Sequence, residues 1–325
     1  MVERAIEEHG YMLRPRYHVG WVPSWSDTWI SPELCEDSAR SLIPAVLDAK
    51  RISDGSTVVI KRVSKRCQEY EIAKFLSTPD MLEDERNHCI PILDDFFDPS
   101  DGTRFIVMAF LRHFYEPEFE CMDEVLDFML QTLTAISFLH EKGVAHRDCA
   151  LNNIIYDPSV RRLAKRVRRS SVLPVRYYLT DFGISTRFKN PGKPRRVVGI
   201  DCQDQDVPEL STDIPYDPFP VDIFTLGNLY QKRILNRYEN ADFLRPLILA
   251  MTHSNPEGRP TAIGVLIEFR HLVRRETWSS RVWRLRRRDE GRLSRFFQDV
   301  RFVARDWIKL LMQFFRSKLH FHTLV

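Results

Sequence analysis

The sequence predicts an α+β chain in two parts, a small strand-rich part followed by a larger helical one. Three observations carry that expectation. The turn Ser53–Ser56, with Asp-Gly at its centre, joins two apolar runs, PAVLDAKRI and TVVIKRV, and Asp-Gly between apolar runs marks paired strands. Two further strand runs, CIPILDDFF and TRFIVMAFL, flank the turn DPSDG. From Met122 the period changes, because MDEVLDFMLQTLTAISFLHEKG carries apolar residues at helical spacing and stops on a glycine.

The remaining elements follow in order. Residues 1 to 40 hold aromatics and prolines without a clear period (RPRYHVGWVPSW), and the expectation is an extended arm. The charged segment SKRCQEYEIAKFL has helical spacing and sits between the two strand pairs. The strand-rich part, 41–113, passes into the helical part near Phe110 to Glu118. Within 114–275 two more helical stretches appear, VDIFTLGNLYQKRIL and TAIGVLIEFRHLV. The last segment, 276–325, is strongly basic. In it Phe296, Val300, Val303, Trp307, Leu310, Leu311 and Phe314 share one helical face, and Arg301, Arg305, Lys309 and Arg316 another. Such a helix can pack on its own chain, rest on an anionic membrane or fill a partner's groove, so residues 292–318 are a candidate contact surface.

Composition narrows the class. Hydrophobic residues make up 43% of the chain and charged residues 29%, with a net charge of +3. That supports a sizeable core and gives no single-sign field of the kind nucleic acid attracts. The basic run RRLAKRVRRSS reads as a solvated loop ahead of an import signal or a nucleic-acid contact. The six cysteines form no CxxC pair and no zinc-ligand spacing, the pattern of a reducing compartment. The opening MVERAIEEHG has early acids and no apolar leader run, and no apolar stretch is long enough to span a bilayer. The expectation is an intracellular protein, with peripheral membrane association through the tail as an option.

The chemistry is concentrated in ordered motifs. HRDCALNN (His146 to Asn153) follows the long helical stretch, and DFG (Asp181 to Gly183) follows the strand run RYYLT. Further on come VPE (Val207 to Glu209), VDIFTLG from Val221 and PEGRP ending at Pro260, while upstream VVIK ends at Lys61. A single short motif is weak, but this many in this order and context are specific.

Over roughly residues 45 to 275 the pattern resembles the protein kinase superfamily, in particular its divergent, glycine-poor members common in fungi. The resemblance implies a bilobal fold, with a small β-rich N-lobe and a larger mainly α-helical C-lobe. It also implies ATP and Mg2+ as cofactors and transfer of the γ-phosphoryl group to a protein hydroxyl, Ser or Thr ahead of Tyr. Carried over residue by residue, Lys61 holds the α- and β-phosphates and Glu71 pairs with it. Asp148 is the base acting on the acceptor hydroxyl, with Arg147 beside it in the same motif. Asn153 and Asp181 hold the metal ion. Met108 is the gatekeeper, and the backbone of Ala109, Phe110 and Leu111 faces adenine. Glu209 and Arg259 form a buried ion pair, Asp222 caps the catalytic-loop backbone, and His146 and Phe182 are core residues behind the site. The physical logic is that phosphoryl transfer needs positioning and charge neutralisation more than covalent chemistry.

The sequence also departs from that pattern. Before Lys61 the only glycines are Gly10, Gly20 and Gly55, so the glycine-rich loop that brings backbone N–H groups up to phosphate is missing. Ala150 stands where serine/threonine kinases have lysine, and the segment GIDCQDQD lacks the usual substrate-contacting threonine. From Phe188 to Leu210 there is no Ser, Thr or Tyr, which argues against switching by a phosphate in that segment. A kinase fold used as a scaffold or adaptor is therefore the alternative to an enzyme.

Overall fold

A computed structural model describes residues 2–18, 20–38, 45–64, 67–157, 175–190 and 192–304. The chain divides into two compact units. One comprises Met1–Glu85, Cys89–Leu111 and Asp181–Ser185, the other Arg86–His88, Arg112–Thr180 and Thr186–Val325.

The first unit is a five-stranded antiparallel sheet of β1 (Tyr11–Leu13), β2 (Val46–Arg51), β3 (Thr57–Val63), β4 (Asp94–Phe97) and β5 (Arg104–Ala109), in the order β1-β2-β3-β5-β4. The β2–β3 hairpin turns at Gly55, whose φ of 68° lies in the left-handed region that glycine enters at no steric cost. The run CIPILDDFF becomes a strand only from Asp94; Pro91 cannot donate to a ladder. Alternation along β3 and β5 sends Val58, Ile60, Phe105 and Val107 to one face, where they meet Ile6, Tyr11, Leu13, Ala49 and Phe96. The opposite face carries Lys61 opposite Ile106 and Val59 opposite Met108.

Residues 2–13, expected as part of an arm, are instead built into this unit. Helix α1 (Val2–Glu8) buries Ala5 and Ile6, β1 adds a strand at the edge, and the Tyr11 hydroxyl donates to Asp94 at 2.8 Å. His9 stacks on Phe96 with ring centroids 4.3 Å apart. A short helix α2 (Glu69–Leu76) buries Glu69, Ile72, Ala73 and Leu76, positions i, i+3, i+4 and i+7 of one face; α3 (Pro79–Glu83) follows it.

The second unit is mainly helical. Helix α4 (Met122–Glu141) is nearly all core on one side and ends before Gly143. A Cβ at Gly143, where φ is 73°, would sit 2.5 Å from the carbonyl oxygen of Phe188, so only glycine fits there. Strand β6 (Arg112–His113) pairs with β8 (Ile154–Tyr156), which pairs with β9 (Tyr177–Leu179); β7 (Val144–Ala145) pairs with β10 (Thr186–Arg187). Strand β11 (Val197–Gly199) pairs with β12 (Ser211–Tyr216). Helix α5 (Pro218–Tyr230) is buried along nearly its whole length and passes into one π turn, Gln231–Leu235. Helices α6 (Arg245–Met251) and α7 (Ala262–Arg275) complete the core, α7 capped by the Thr261 hydroxyl and packed on α4. A short α8 (Trp278–Val282) leads into the tail.

The boundaries differ from those read off the sequence in two places. Asp181–Ser185 groups with the strand-rich unit, because Asp181 is ion-paired with Lys61 there. The described part of the tail is built onto the helical unit. Arg284, 5% exposed, is ion-paired with Glu290 and Asp299, and the Met122 amide donates to the Trp283 carbonyl. Residues 292–304 are helical. There the expected stripe is not what docks, since Phe296 and Val300 are exposed while Phe302 is buried beside Trp283. Trp307, Leu310, Leu311, Phe314 and the rest of 305–325 lie outside the described residues, as does RRLAKRVRRSS. Among the described residues no helix is long and apolar enough to cross a membrane.

Candidate active site

In the strand-rich unit, Lys61 projects from the face of β3 opposite the core and is 8% exposed. Its Nζ lies 2.5 Å from Oε1 of Glu69 and 2.7 Å from Oδ1 of Asp181. Burial works against the ammonium, but Glu69 and then Asp181 outweigh it and raise Lys61 above its ordinary value. The same Asp181 oxygen accepts the Gly183 amide at 3.1 Å. Asp181 itself sits at a φ of 64°, a left-handed conformation that costs a non-glycine residue free energy and persists where its surroundings hold it. Gly183 is tight as well, for a Cβ there would meet Asp181 Oδ1 at 3.0 Å. Met108 is buried on the same sheet face as Lys61, Phe110 is half-exposed, and its amide donates to the Thr57 carbonyl.

In the helical unit, residues 146–153 span from β7 to β8, and a buried carboxylate organises them. Asp222, on α5 and 0% exposed, accepts the amides of His146 at 2.9 Å and Arg147 at 2.5 Å, and the ring Nε2–H of His140 at 2.9 Å. These bonds hold Arg147 at a φ of 69°. His146 is fully buried, donates from Nε2 to the Thr180 carbonyl and accepts the Asp148 amide at Nδ1. Asp148 accepts from Asn153 Nδ2 at 2.8 Å and from Gln203 through both its amide nitrogen and Nε2, each at 2.8 Å. Asn153 gives its second amide hydrogen to the Asp148 carbonyl at 3.0 Å. Its side-chain oxygen is thereby oriented away from Asp148, as a neutral oxygen donor for a hard cation. Arg147 turns its guanidinium to the Val198 carbonyl at 2.9 Å and the Tyr216 hydroxyl at 3.2 Å. Glu209 and Arg259 form a two-pronged pair at 2.5 and 2.8 Å, with Arg259 also donating to the carbonyls of His253 and Pro220.

A buried carboxylate capping a loop that carries Asp148 and Asn153, and a buried lysine paired with an acid from the next helix and with the Asp of DFG, form a distinctive combination. The family model described as "Protein kinase domain" matches residues 43–237. The chain belongs to the protein kinase family. It is similar to a probable casein kinase II subunit alpha homolog of Encephalitozoon cuniculi (26% identical, covering 54% of this chain and 50% of that one). It is also similar to the serine/threonine-protein kinase PLK4 of Xenopus laevis (25%, covering 68% and 25%). Against the crystal structure of Rad53 kinase domain and SCD2 the TM-score is 0.44 at 19% identity, covering 70% of this chain and 86% of that one. The chain spans half or less of the length of the two curated relatives.

Set against this kinase framework, most of the sequence-predicted residues fall into the two clusters just described. Glu71 does not. It is exposed on α2, and Glu69 makes the ion pair. The reason is helical phase. Residues two apart on a helix are about 200° apart around its axis, so a helix that buries Ile72, Ala73 and Leu76 presents 69 and turns 71 to solvent. That apolar period was the signal that could have found it. Gln203 was missed outright, because nothing in GIDCQDQD marks one glutamine from the other. The missing glycine loop also has a structural counterpart: β1 and β2 are neighbours in the sheet, yet residues 14–45 join them in place of a tight turn.

Proposed function

We propose that this protein is an ATP-dependent, magnesium-dependent protein kinase that transfers the γ-phosphoryl group to a protein hydroxyl, serine or threonine ahead of tyrosine. The observation that carries this reading is the retained set of charged and amide groups in kinase order. Lys61 is kept charged by Glu69 and Asp181, and Asp148 has its carboxylate oriented by Asn153 and Gln203. A chain serving only as a scaffold would need neither a lysine buried against two acids nor a carboxylate oriented by three amide donors.

The roles follow from what each group offers. Lys61 supplies a point charge for phosphate oxygens, with Glu69 fixing its rotamer. Asp148 orients the acceptor hydroxyl and takes its proton. The Asn153 oxygen and the Asp181 carboxylate are hard oxygen donors of the kind Mg2+ prefers, and the ion when bound would neutralise charge on the phosphates. Met108 and the backbone of Ala109, Phe110 and Leu111 would receive adenine. Relatives named as serine/threonine kinases support the acceptor class.

The test is nucleotide binding followed by transfer. Calorimetry should show ATP binding that needs magnesium and is weaker than in glycine-loop kinases. Purified protein with labelled ATP should incorporate phosphate into itself or a generic protein substrate. Binding that is equal with and without magnesium would remove the metal roles of Asn153 and Asp181. No incorporation above the level of an Asp148→Asn variant would leave the scaffold reading in its place.

A further inference from the structure

Asp148 is held by a residue that the resemblance does not assign. A carboxylate is an acceptor with about four lone-pair directions. Oδ2 of Asp148 receives two amide donors, Gln203 Nε2 and Asn153 Nδ2, both at 2.8 Å. Oδ1 receives the Gln203 backbone amide at 2.8 Å, and among the described residues the fourth direction meets only the Cys202 thiol at 3.7 Å. Thiols are weak donors, and burial, reinforced by Asp148 itself, pushes Cys202 up to about 12, so it stays protonated. Ala150, two residues after Asp148, has no side-chain donor to contribute. The amide of Gln203 is fixed in turn, because its Oε1 accepts Asn152 Nδ2 at 3.0 Å. Gln203 thus clasps both ends of the loop segment from Asp148 to Asn152.

The same residue sits in a stretch that other side chains tie down. The Tyr216 hydroxyl donates to the Gly199 carbonyl at 2.7 Å, Arg147 to the Val198 carbonyl, and Asn228 to both oxygens of Asp204. Segment 198–206 is therefore anchored on both sides of Gln203 by contacts that need no added phosphate.

We propose that Gln203 is a positioning residue for phosphoryl transfer, filling Oδ2 of Asp148 so that Oδ1, whose one remaining direction faces a thiol, is the oxygen that meets the acceptor hydroxyl. This rests on the kinase reading above. The donor, not the bulk of the side chain, does the work. Gln203→Leu keeps the size and loses the donor, Gln203→Glu keeps the shape and opposes the carboxylate, and Gln203→Lys restores a donor of similar reach.

The experiment is steady-state kinetics of phosphate incorporation by the full chain and these three variants, with thermal stability measured alongside. A hydrogen bond to a charged group sets the scale, so kcat should fall about tenfold to a hundredfold in Gln203→Leu and further in Gln203→Glu. KM for ATP should not move, and Gln203→Lys should recover most of the rate. Unchanged kcat in Gln203→Leu would overturn the inference while leaving the kinase reading intact, and so would equal losses in all three variants, which mark a packing effect. Absence of transfer in the unsubstituted protein is seen before any variant is compared; it overturns the kinase reading and this inference with it.

Discussion

The two clusters solve the same problem, holding a reactive side chain still, by different means. Around Lys61 the restraint is charge, one ammonium between two carboxylates. Around Asp148 it is neutral amides and backbone, with Asn153 and Gln203 on the carboxylate and Asp222 beneath the loop. Under the proposed function, charge suits a group that meets nucleotide phosphates, because Coulomb attraction is long-ranged and tolerates a change of geometry. Amide donors suit a group that must keep one rotamer, because hydrogen bonds are directional. The exposures agree. The Asp181 side chain is partly exposed, whereas Asp148 is buried and held by Asn153 and Gln203.

The sharpest way to separate the clusters is to neutralise one carboxylate in each. Asp148→Asn should lower phosphate incorporation about 10²–10⁴-fold, the usual worth of a positioned base, with nucleotide affinity intact. Asp181→Asn should lower both, because it removes the carboxylate to which the proposed function gives the metal ion. Calorimetry beside incorporation assays reads the difference, and equal nucleotide affinity in the two variants would break the comparison.

The next effect is on the fold rather than the chemistry. Arg259, 7% exposed, is a buried charge with a dedicated partner, so Arg259→Ala leaves Glu209 uncompensated and should cost about 3–5 kcal/mol in denaturant unfolding. The Lys61 cluster is partly solvated at Asp181, so Lys61→Met should cost visibly less in the same measurement. A reversal of that order would show that the strand-rich unit, not the helical one, depends on its ion pairs.

Acid should strike the helical unit through a neutral group. Burial pushes His88 down to about 4, against the pull of the Tyr177 carbonyl that its Nδ1–H donates to. The unfolded chain therefore binds a proton that the folded chain does not between about pH 6.5 and pH 4. Stability from this group is present above pH 6.5 and lost as pH falls through that window, up to about 3 kcal/mol. His88→Gln should flatten the stability–pH slope there, and an unchanged slope assigns the acid sensitivity elsewhere.

The smallest effect tests helical phase. Glu69→Gln should raise KM for ATP about tenfold, as expected for losing a charge-assisted hydrogen bond on Lys61. Glu71→Gln, on the solvent face, should stay within about 0.5 kcal/mol of wild type in stability, with unaltered kinetics. The opposite pattern would return the pairing role to Glu71.

How much of this was legible beforehand follows from how local each feature is. The hairpin at Gly55, the helix Met122–Glu141 and the pair Glu209–Arg259 were readable, the first two because period and turn chemistry act within a few residues. The pairing of Lys61 was readable as to helix but not as to residue, since a two-position slip turns a side chain from buried to exposed. The Tyr11–Leu13 strand was hidden because three residues carry no period and their pairing with β2 crosses more than thirty positions. In the tail, the apolar stripe gave the helix but not its contact face, because Phe302, not Phe296, finds Trp283.

The sequence by itself determined the class of the fold and the ordered reactive groups, from Lys61 through Asp148 and Asn153 to Asp181, because those motifs depend on side-chain chemistry and short-range spacing. Only the tertiary structure decided which acid meets Lys61, that Gln203 joins Asn153 on the Asp148 carboxylate, and that the first residues complete a sheet. Two of these are contacts between segments far apart in the chain, and the third joins a strand to the helix that follows it. Which of several similar side chains makes such a contact is set by helical phase and strand register, and those are fixed only when the core packs.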